Sequence, residues 1–127
     1  MDGADAAVDV AGWRERLGPV GIWTGQLDFS TADTVRDAAG EVESLGYRAL
    51  WTGEAVGREV LSAAQLLLAA TESLVVATGI ANIWARDALA TAAGQLALGE
   101  AYPDRFVLGI GLSHRPLLDV RGEDYRT

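Results

Sequence analysis

Two apolar runs decide what this chain can fold into. Leu74-Val75-Val76-Ala77-Thr78-Gly79-Ile80 and Phe106-Val107-Leu108-Gly109-Ile110-Gly111 flank a helical stretch that starts near Asp87 and returns through Tyr102-Pro103-Asp104-Arg105. Neither run alternates apolar with polar residues, so both faces of each strand are expected to be covered, one as an inner wall and the other by helices. The pattern is a βαβ unit of a parallel sheet. Residues 78–82 and 112–115, just past the strand ends, then fall where parallel α/β proteins place their binding sites.

The same alternation runs along most of the chain. Residues 10–17 predict a short helix with Trp13 and Leu17 on one face, stopped by Gly18-Pro19. Val20-Gly21-Ile22-Trp23 predicts the first strand. Ser30-Thr31-Ala32-Asp33 supplies a hydroxyl cap and a first-turn carboxylate to a helix whose Val35, Ala38, Ala39, Val42 and Leu45 recur at spacings of three and four. Residues 47–52 predict a second strand, 53–57 its exit loop, and 58–72 a second helix striped by Leu61, Ala64, Leu68 and Thr71. For the third helix, Asp87 is the expected N-cap and Leu89, Ala92, Ala93, Leu96 and Ala97 the expected buried face. Gly94 and Gly99 each cost about 1 kcal/mol relative to alanine, and close packing on the sheet would explain both. The count is four strands in the order β-α-β-α-β-α-β within one α/β domain, 1–127. Its expected parts are an N-terminal extension over 1–17, frayed over 1–9, βα repeats over 18–115, and a polar tail over 116–127.

Half of the residues are apolar, enough for one sizeable core. A net charge of -8, with ten arginines and no lysine, leaves no basic footprint. Small molecules or proteins are therefore the expected partners, and neither nucleic acid nor membrane is. The absence of cysteine removes thiolate nucleophiles and disulfides, and a single histidine leaves no recognisable ligand spacing, so no metal is expected. Asp2 and Asp5 stand where a signal peptide needs positive charge, and no apolar run approaches the roughly 20 residues of a membrane span. A cytoplasmic protein is expected. Gly109-Ile110-Gly111-Leu112-Ser113-His114 begins like a dinucleotide fingerprint, but His114 replaces the third glycine and Arg115-Pro116 opposes an immediate helix. A nicotinamide Rossmann site is not expected.

Val76-Ala77-Thr78-Gly79-Ile80-Ala81-Asn82-Ile83-Trp84, with Ala101-Tyr102-Pro103-Asp104-Arg105-Phe106 and Leu108-Gly109-Ile110-Gly111, resembles the bacterial-luciferase-like oxidoreductases, nearest their deazaflavin-dependent branch. The resemblance continues upstream through Val20-Gly21-Ile22-Trp23 and Leu45-Gly46-Tyr47-Arg48-Ala49-Leu50-Trp51. It implies a parallel βα-repeat fold, half of a TIM (β/α)8 barrel with about four βα units, since eight typically need about 250 residues. It also implies hydride transfer between the deazaflavin coenzyme F-420 and an organic substrate. The same fold hosts flavin mononucleotide (FMN) monooxygenases, and no residue here excludes that cofactor. A half-barrel keeps two unpaired edges and an uncovered inner wall, expected to be of Val, Leu and Ile. The chain therefore reads as a truncated or half-barrel form with little activity alone, or as a non-catalytic dimerisation module, and a homo-oligomer is expected.

The resemblance assigns roles to residues. Thr78, Gly79 and Ile80 match a bulge with a non-proline cis peptide that supports the cofactor ring from behind, and Gly79-Ile80 is the implied bond. Taken without the resemblance, Gly79 marks an ordinary strand end. Glu54 matches an acidic position beside the cofactor and is a candidate for cofactor binding and catalysis, with a solvated loop carboxylate as the alternative. The next position, a histidine in several deazaflavin enzymes, is Ala55 here, which departs from a sugar-phosphate dehydrogenase-like mechanism and favours a different substrate chemistry. His114, the one histidine, lies at a strand C-terminal end, and imidazole exchanges a proton near neutrality. It reads either as the proton donor the resemblance places in this region or as a surface residue capping the loop before Pro116. Ser113 is a further candidate for the cofactor; Trp23 and Trp84, in or near strand ends, are candidates for substrate contacts with core packing as the alternative, and Trp51 is expected in the core. Tyr102-Pro103-Asp104-Arg105 reads as helix-stop and turn chemistry.

Overall fold

The computed structural model describes residues 7–124. Residues 1–6 of the expected frayed start and 125–127 of the expected tail lie outside the described residues. Helix α1 (Val10–Leu17) is capped by Asp9, whose carboxylate accepts from the Gly12 N–H at 2.9 Å. Strand β1 (Ile22–Thr24) leads through a single 3-10 turn (Gln26–Phe29) into α2 (Ala32–Ser44), capped by the Thr31 hydroxyl. There follow β2 (Ala49–Thr52), α3 (Val60–Ala69), β3 (Val75–Thr78), β4 (Ala81–Asn82), α4 (Ala88–Ala101), β5 (Phe106–Val107), β6 (Ile110–Gly111) and α5 (Arg115–Arg121).

Four strands form one parallel sheet in the order β1-β2-β3-β5, and β4 and β6 form a second, two-stranded parallel pair. The register sets Ile22, Leu50, Val76 and Phe106 in one row and Trp23, Trp51, Ala77 and Val107 in the next. Successive residues of a strand face opposite sides, so the rows belong to different faces. The first row meets the helices: Leu50 and Val76 are buried with Val35 and Ala39 of α2, Leu67 and Leu68 of α3, and Leu98 of α4. The second row is the inner wall. Where Val, Leu and Ile were expected there, it carries two tryptophans, an alanine and one valine, and Trp23 alone of the four is exposed.

Several expectations fail for identifiable reasons. The apolar stripe of α4 is not its buried face: Leu89 and Leu96 are 81% and 74% exposed, and only Leu98 is buried. α4 ends the helix layer. On one side Gly94 meets α3, where an added Cβ would lie 2.5 Å from Leu61 Cδ1, so the close packing is on a helix and not on the sheet. On the other side Ala88, Thr91, Ala92, Leu108 and Ile110 line an open groove of about 320 Å³ between α4 and the edge strand. Gly99 faces open space, so packing does not account for it. The tail expected from residue 116 is largely α5: Pro116 falls in the helix's first two positions, where its missing N–H costs nothing, and Gly122 closes the helix at φ 71°. Arg115-Pro116 starts a helix instead of opposing one.

Long-range polar contacts fasten the elements. α1 lies across the N-terminal ends of the strands, with Arg16 paired to Asp104 at 3.2 Å and Arg48 Nη1 donating to the Glu15 carbonyl at 2.8 Å. The Tyr102-Pro103-Asp104-Arg105 turn stops α4 as predicted, and Arg105 has a further use. Its guanidinium donates to the carbonyls of Leu68, Thr71 and Leu74 and to the Thr71 hydroxyl. Glu43, near the end of α2, accepts the N–H groups of Glu72, Ser73 and Leu74 at 2.7–3.1 Å and so fixes the approach to β3. Among the described residues no helix is long and apolar enough to cross a membrane.

Candidate functional site

The site begins where β3 breaks. Gly79-Ile80 separates β3 from β4, and the peptide between them is cis, as the resemblance implied. β5 and β6 break at the same level, at Leu108-Gly109. The breaks interlock. The Thr78 hydroxyl donates to the Gly109 carbonyl at 2.7 Å and accepts its N–H at 2.8 Å, while the Ala81 N–H reaches the same carbonyl at 2.7 Å. A Cβ at Gly109 would sit 2.3 Å from the Thr78 carbonyl oxygen, a distance no side chain tolerates. The first glycine of what looks like a dinucleotide fingerprint is thus explained by close backbone approach at this double break. Thr78, assigned to the cofactor by resemblance, is fully buried with its hydroxyl occupied, so it shapes the site from beneath.

Trp23 covers the bulge. Its indole N–H donates to the Gly79 carbonyl at 2.7 Å. A Cβ built at Gly79 would lie 3.3 Å from Trp23 Cδ1 and 3.5 Å from Trp51 Cε3, so the inner face of Gly79 is already roofed by two indoles. Cβ atoms at Gly53 and Gly25 would lie 3.3 and 3.4 Å from the far edge of the Trp23 ring. The indole is bedded on three glycines at the ends of three neighbouring strands.

Glu54 anchors the loops around the bulge. Its side chain is 1% exposed and pairs with Arg86, itself 10% exposed, which also holds Glu59 at 2.8 Å. The Glu54 carboxylate further accepts the Asn82 N–H at 2.8 Å and the Val60 N–H at 3.2 Å. It therefore ties the β2 exit loop to the segment after the bulge and to the start of α3. Both carboxylate oxygens are held by protein donors, which replaces the solvated-loop alternative with a buried ion pair. For Glu59, burial works to raise the carboxyl's pKa, but hydrogen bonds from Ser62 and Leu61 and the Arg86 charge outweigh it and hold it below the usual value.

A concavity of about 320 Å³ opens at this end of the sheet, and its walls include Trp23, Asp28, Ile80, Ser113, His114 and Leu117. The structure thus brings Trp23, Gly79, Ile80, Ser113 and His114 together, with Glu54 behind them. Trp84 is not among them; its indole N–H donates to the Leu112 carbonyl at 3.1 Å. Ser113 holds a positive φ of 63° just before His114, which is exposed at the N-cap of α5. Asp28, which sequence reasoning missed, spends its carboxylate on the N–H groups of Gly57 and Arg58, both at 2.9 Å. Arg86 was missed as well. Its partner lies 32 residues away, and no local spacing announces the pair. Among the ionisable residues lining the cavity, His114 alone has no side-chain hydrogen bond or ion pair, and no arginine is among the walls. These residues fit a flat conjugated ring; for a phosphate tail they offer no arginine. Among the described residues, no group of three or more His, Asp or Glu side chains is placed to hold a metal.

In structure the chain is similar to the coenzyme F420 dependent tetrahydromethanopterin reductase from Methanopyrus kandleri, with a TM-score of 0.74 at 19% identity. The match covers 83% of this chain and 30% of the reductase, so the chain spans about a third of that protein's length. At this identity the likeness establishes the fold, part of a TIM-barrel-like βα repeat. A search of curated proteins found no match. Residues 14–126 match the family described as luciferase-like monooxygenase, and that span takes in β1 to α5 and every wall of the cavity: the chain belongs to the luciferase-like monooxygenase family.

Proposed function

We propose that this chain supplies the ring-binding βα units of an oxidoreductase barrel in which hydride passes between a deazaflavin and an organic substrate. The observation that carries the reading is the meeting of Trp23, Gly79, Ile80, Ser113 and His114 in one concavity at the C-terminal ends of parallel strands, in a chain of this family. When bound, a deazaflavin supplies the two-electron chemistry. The chain's own residues have simpler tasks. Trp23, Ile80 and Leu117 give the ring and substrate an apolar bed and exclude water. Ser113 offers a hydroxyl at the rim. A ring nitrogen of His114 takes or returns the proton that accompanies hydride movement, and Glu54, held by Arg86, keeps the bulge in place as a positioning residue. FMN in the same seat, in a monooxygenase, is the second reading; the family's description favours it, and no lining residue discriminates between the two rings.

Both cofactors fluoresce, so polarisation titrations against the chain test the proposal. Binding is expected to be weak, with Kd above about 100 μM, because ring stacking without tail contacts must offset the entropy of association. F-420 is expected to bind more tightly than FMN. Gly79→Val should weaken both, since its side chain needs space held by Trp23 and Trp51. FMN binding as tightly as F-420 would favour the monooxygenase, and no polarisation of either by about 1 mM chain would refute the cofactor seat. No turnover is expected from the chain alone; hydride transfer lost in His114→Ala would show that these residues suffice.

A further inference from the structure

We infer that the exposed face of Trp23 is a specificity-determining stacking platform, and that the substrates it selects are uncharged molecules with a flat conjugated ring. A tryptophan left 60% exposed at a strand end is ordinarily free to change rotamer. This one is not: its N–H is fixed to the Gly79 carbonyl at 2.7 Å, and its ring edges lie 3.3–3.4 Å from the Cβ positions of Gly25, Gly53 and Gly79. Side chains at those glycines would crowd the ring. The result is an indole pinned at its N–H with its edges fitted against three glycines, 60% exposed at the concavity and already ordered before anything binds. A preordered aromatic face loses little conformational freedom on stacking, which makes it selective for planar partners.

The charges around it narrow the class. Asp28 is committed to two backbone N–H groups and Glu54 to Arg86, and no arginine lines the cavity. A sugar phosphate would meet no arginine among the walls, and Asp28 and Glu54, already spent as acceptors, offer a carboxylate no donor. A neutral ring meets Trp23, Ile80 and Leu117. The inference rests on the site proposed above but not on its coenzyme, and it is tested with none present.

The chain has four tryptophans, hence four indole N–H signals in a ¹⁵N-correlated NMR spectrum. The Trp23 signal is identified by its loss in Trp23→Phe. Titration with 2-naphthol is expected to shift that signal to saturation, decahydro-2-naphthol, of similar size but puckered, to bind about fivefold to tenfold more weakly, and glucose 6-phosphate to leave it in place. Trp23→Leu should lose about fivefold in 2-naphthol affinity, read from the Ile80 amide, and Trp23→Phe should retain most of it. Equal affinity for the flat and puckered alcohols, a saturable shift with glucose 6-phosphate, or unchanged affinity in Trp23→Leu would overturn the inference. Should Trp23→Leu fail to fold, the flat-against-puckered comparison on the parent chain still decides. F-420 failing to bind while 2-naphthol behaves as expected would remove the coenzyme reading and leave the platform standing.

Discussion

Replacing Glu54 with alanine should unfold this chain far more readily than replacing any exposed carboxylate. The mutation removes one partner of an ion pair whose side chains are 1% and 10% exposed. Breaking such a pair costs about 3–5 kcal/mol, because the remaining charge stays buried without its partner. Arg86 keeps Glu59 at 2.8 Å, and Glu59 is nearly half exposed, which moves the figure to the low end. The Asn82 and Val60 N–H groups lose their acceptor as well, at about 1 kcal/mol each once water enters the vacated space. The total is about 5 kcal/mol, which for a domain of this size lowers Tm by about 15–25 °C. Thermal melts followed by circular dichroism measure it. Glu54→Gln, which keeps the shape and one acceptor, should cost about half as much, and the Arg86→Met background should absorb most of the Glu54→Ala loss. A Glu54→Ala variant melting within about 2 °C of the parent, or a cost undiminished in the Arg86→Met background, would refute the claim that this carboxylate is a buried tether.

Glu43 predicts an acid-sensitive contribution. Burial works to raise its carboxyl, but hydrogen bonds from Ser73, Glu72 and Leu74 to the ionised form outweigh it, so the folded pKa lies below the ordinary 4.5. The stability it adds is therefore complete above that ordinary value and is lost as pH falls through the lower folded value; Glu43→Gln should flatten the decline of the urea midpoint between about pH 5 and pH 3. Gly109→Ala must push the Thr78 carbonyl from 2.3 Å and should cost about 2 kcal/mol or more, whereas Gly99→Ala, in open space on a helix, should gain about 0.5–1 kcal/mol; paired urea titrations check both. We expect the chain to self-associate through the exposed face of α4 and the sheet edges beside it, and Leu89→Glu with Leu96→Glu to weaken association about tenfold in sedimentation equilibrium. A parent chain that stays monomeric at micromolar concentration would remove that expectation.

Local chemistry was legible in the sequence; contacts across the fold were not. Asp87 and Thr31 are N-caps because their side chains act within three residues; Asp87 was legible by itself, and Thr31 as one of the two hydroxyls of Ser30-Thr31. The non-alternating runs foretold a parallel sheet because burial on two faces leaves that mark in composition. The stripe of α4 was visible too, but a stripe says which face is apolar and nothing about whether a neighbour exists to cover it. α5 was lost because Pro116 was taken as a breaker, although in a first turn proline breaks nothing. Within the site, the cis bond at Gly79-Ile80 came from the resemblance and not from residue physics. The Glu54–Arg86 pair joins elements 32 residues apart, and nothing near either residue points to the other. Gly25, Gly53 and Gly79 were each visible as glycines, but that they jointly make room for one indole appears only when three strand ends are side by side.

Arg105 has a consequence for how the chain is made. The carbonyls of Leu68, Thr71 and Leu74 close α3 and open β3, yet their shared donor is encoded some 30 residues later, beyond the whole of α4. During synthesis at about 5–20 residues per second, the Thr71 and Leu74 oxygens wait seconds for that donor after their own helix has been made. The α3–β3 corner can therefore form early but cannot complete its polar contacts until α4 has emerged and turned back. A nascent chain that has emerged only as far as residues 75–104 would display the corner half-sealed, open to proteases at the turn that Arg105 will later clasp.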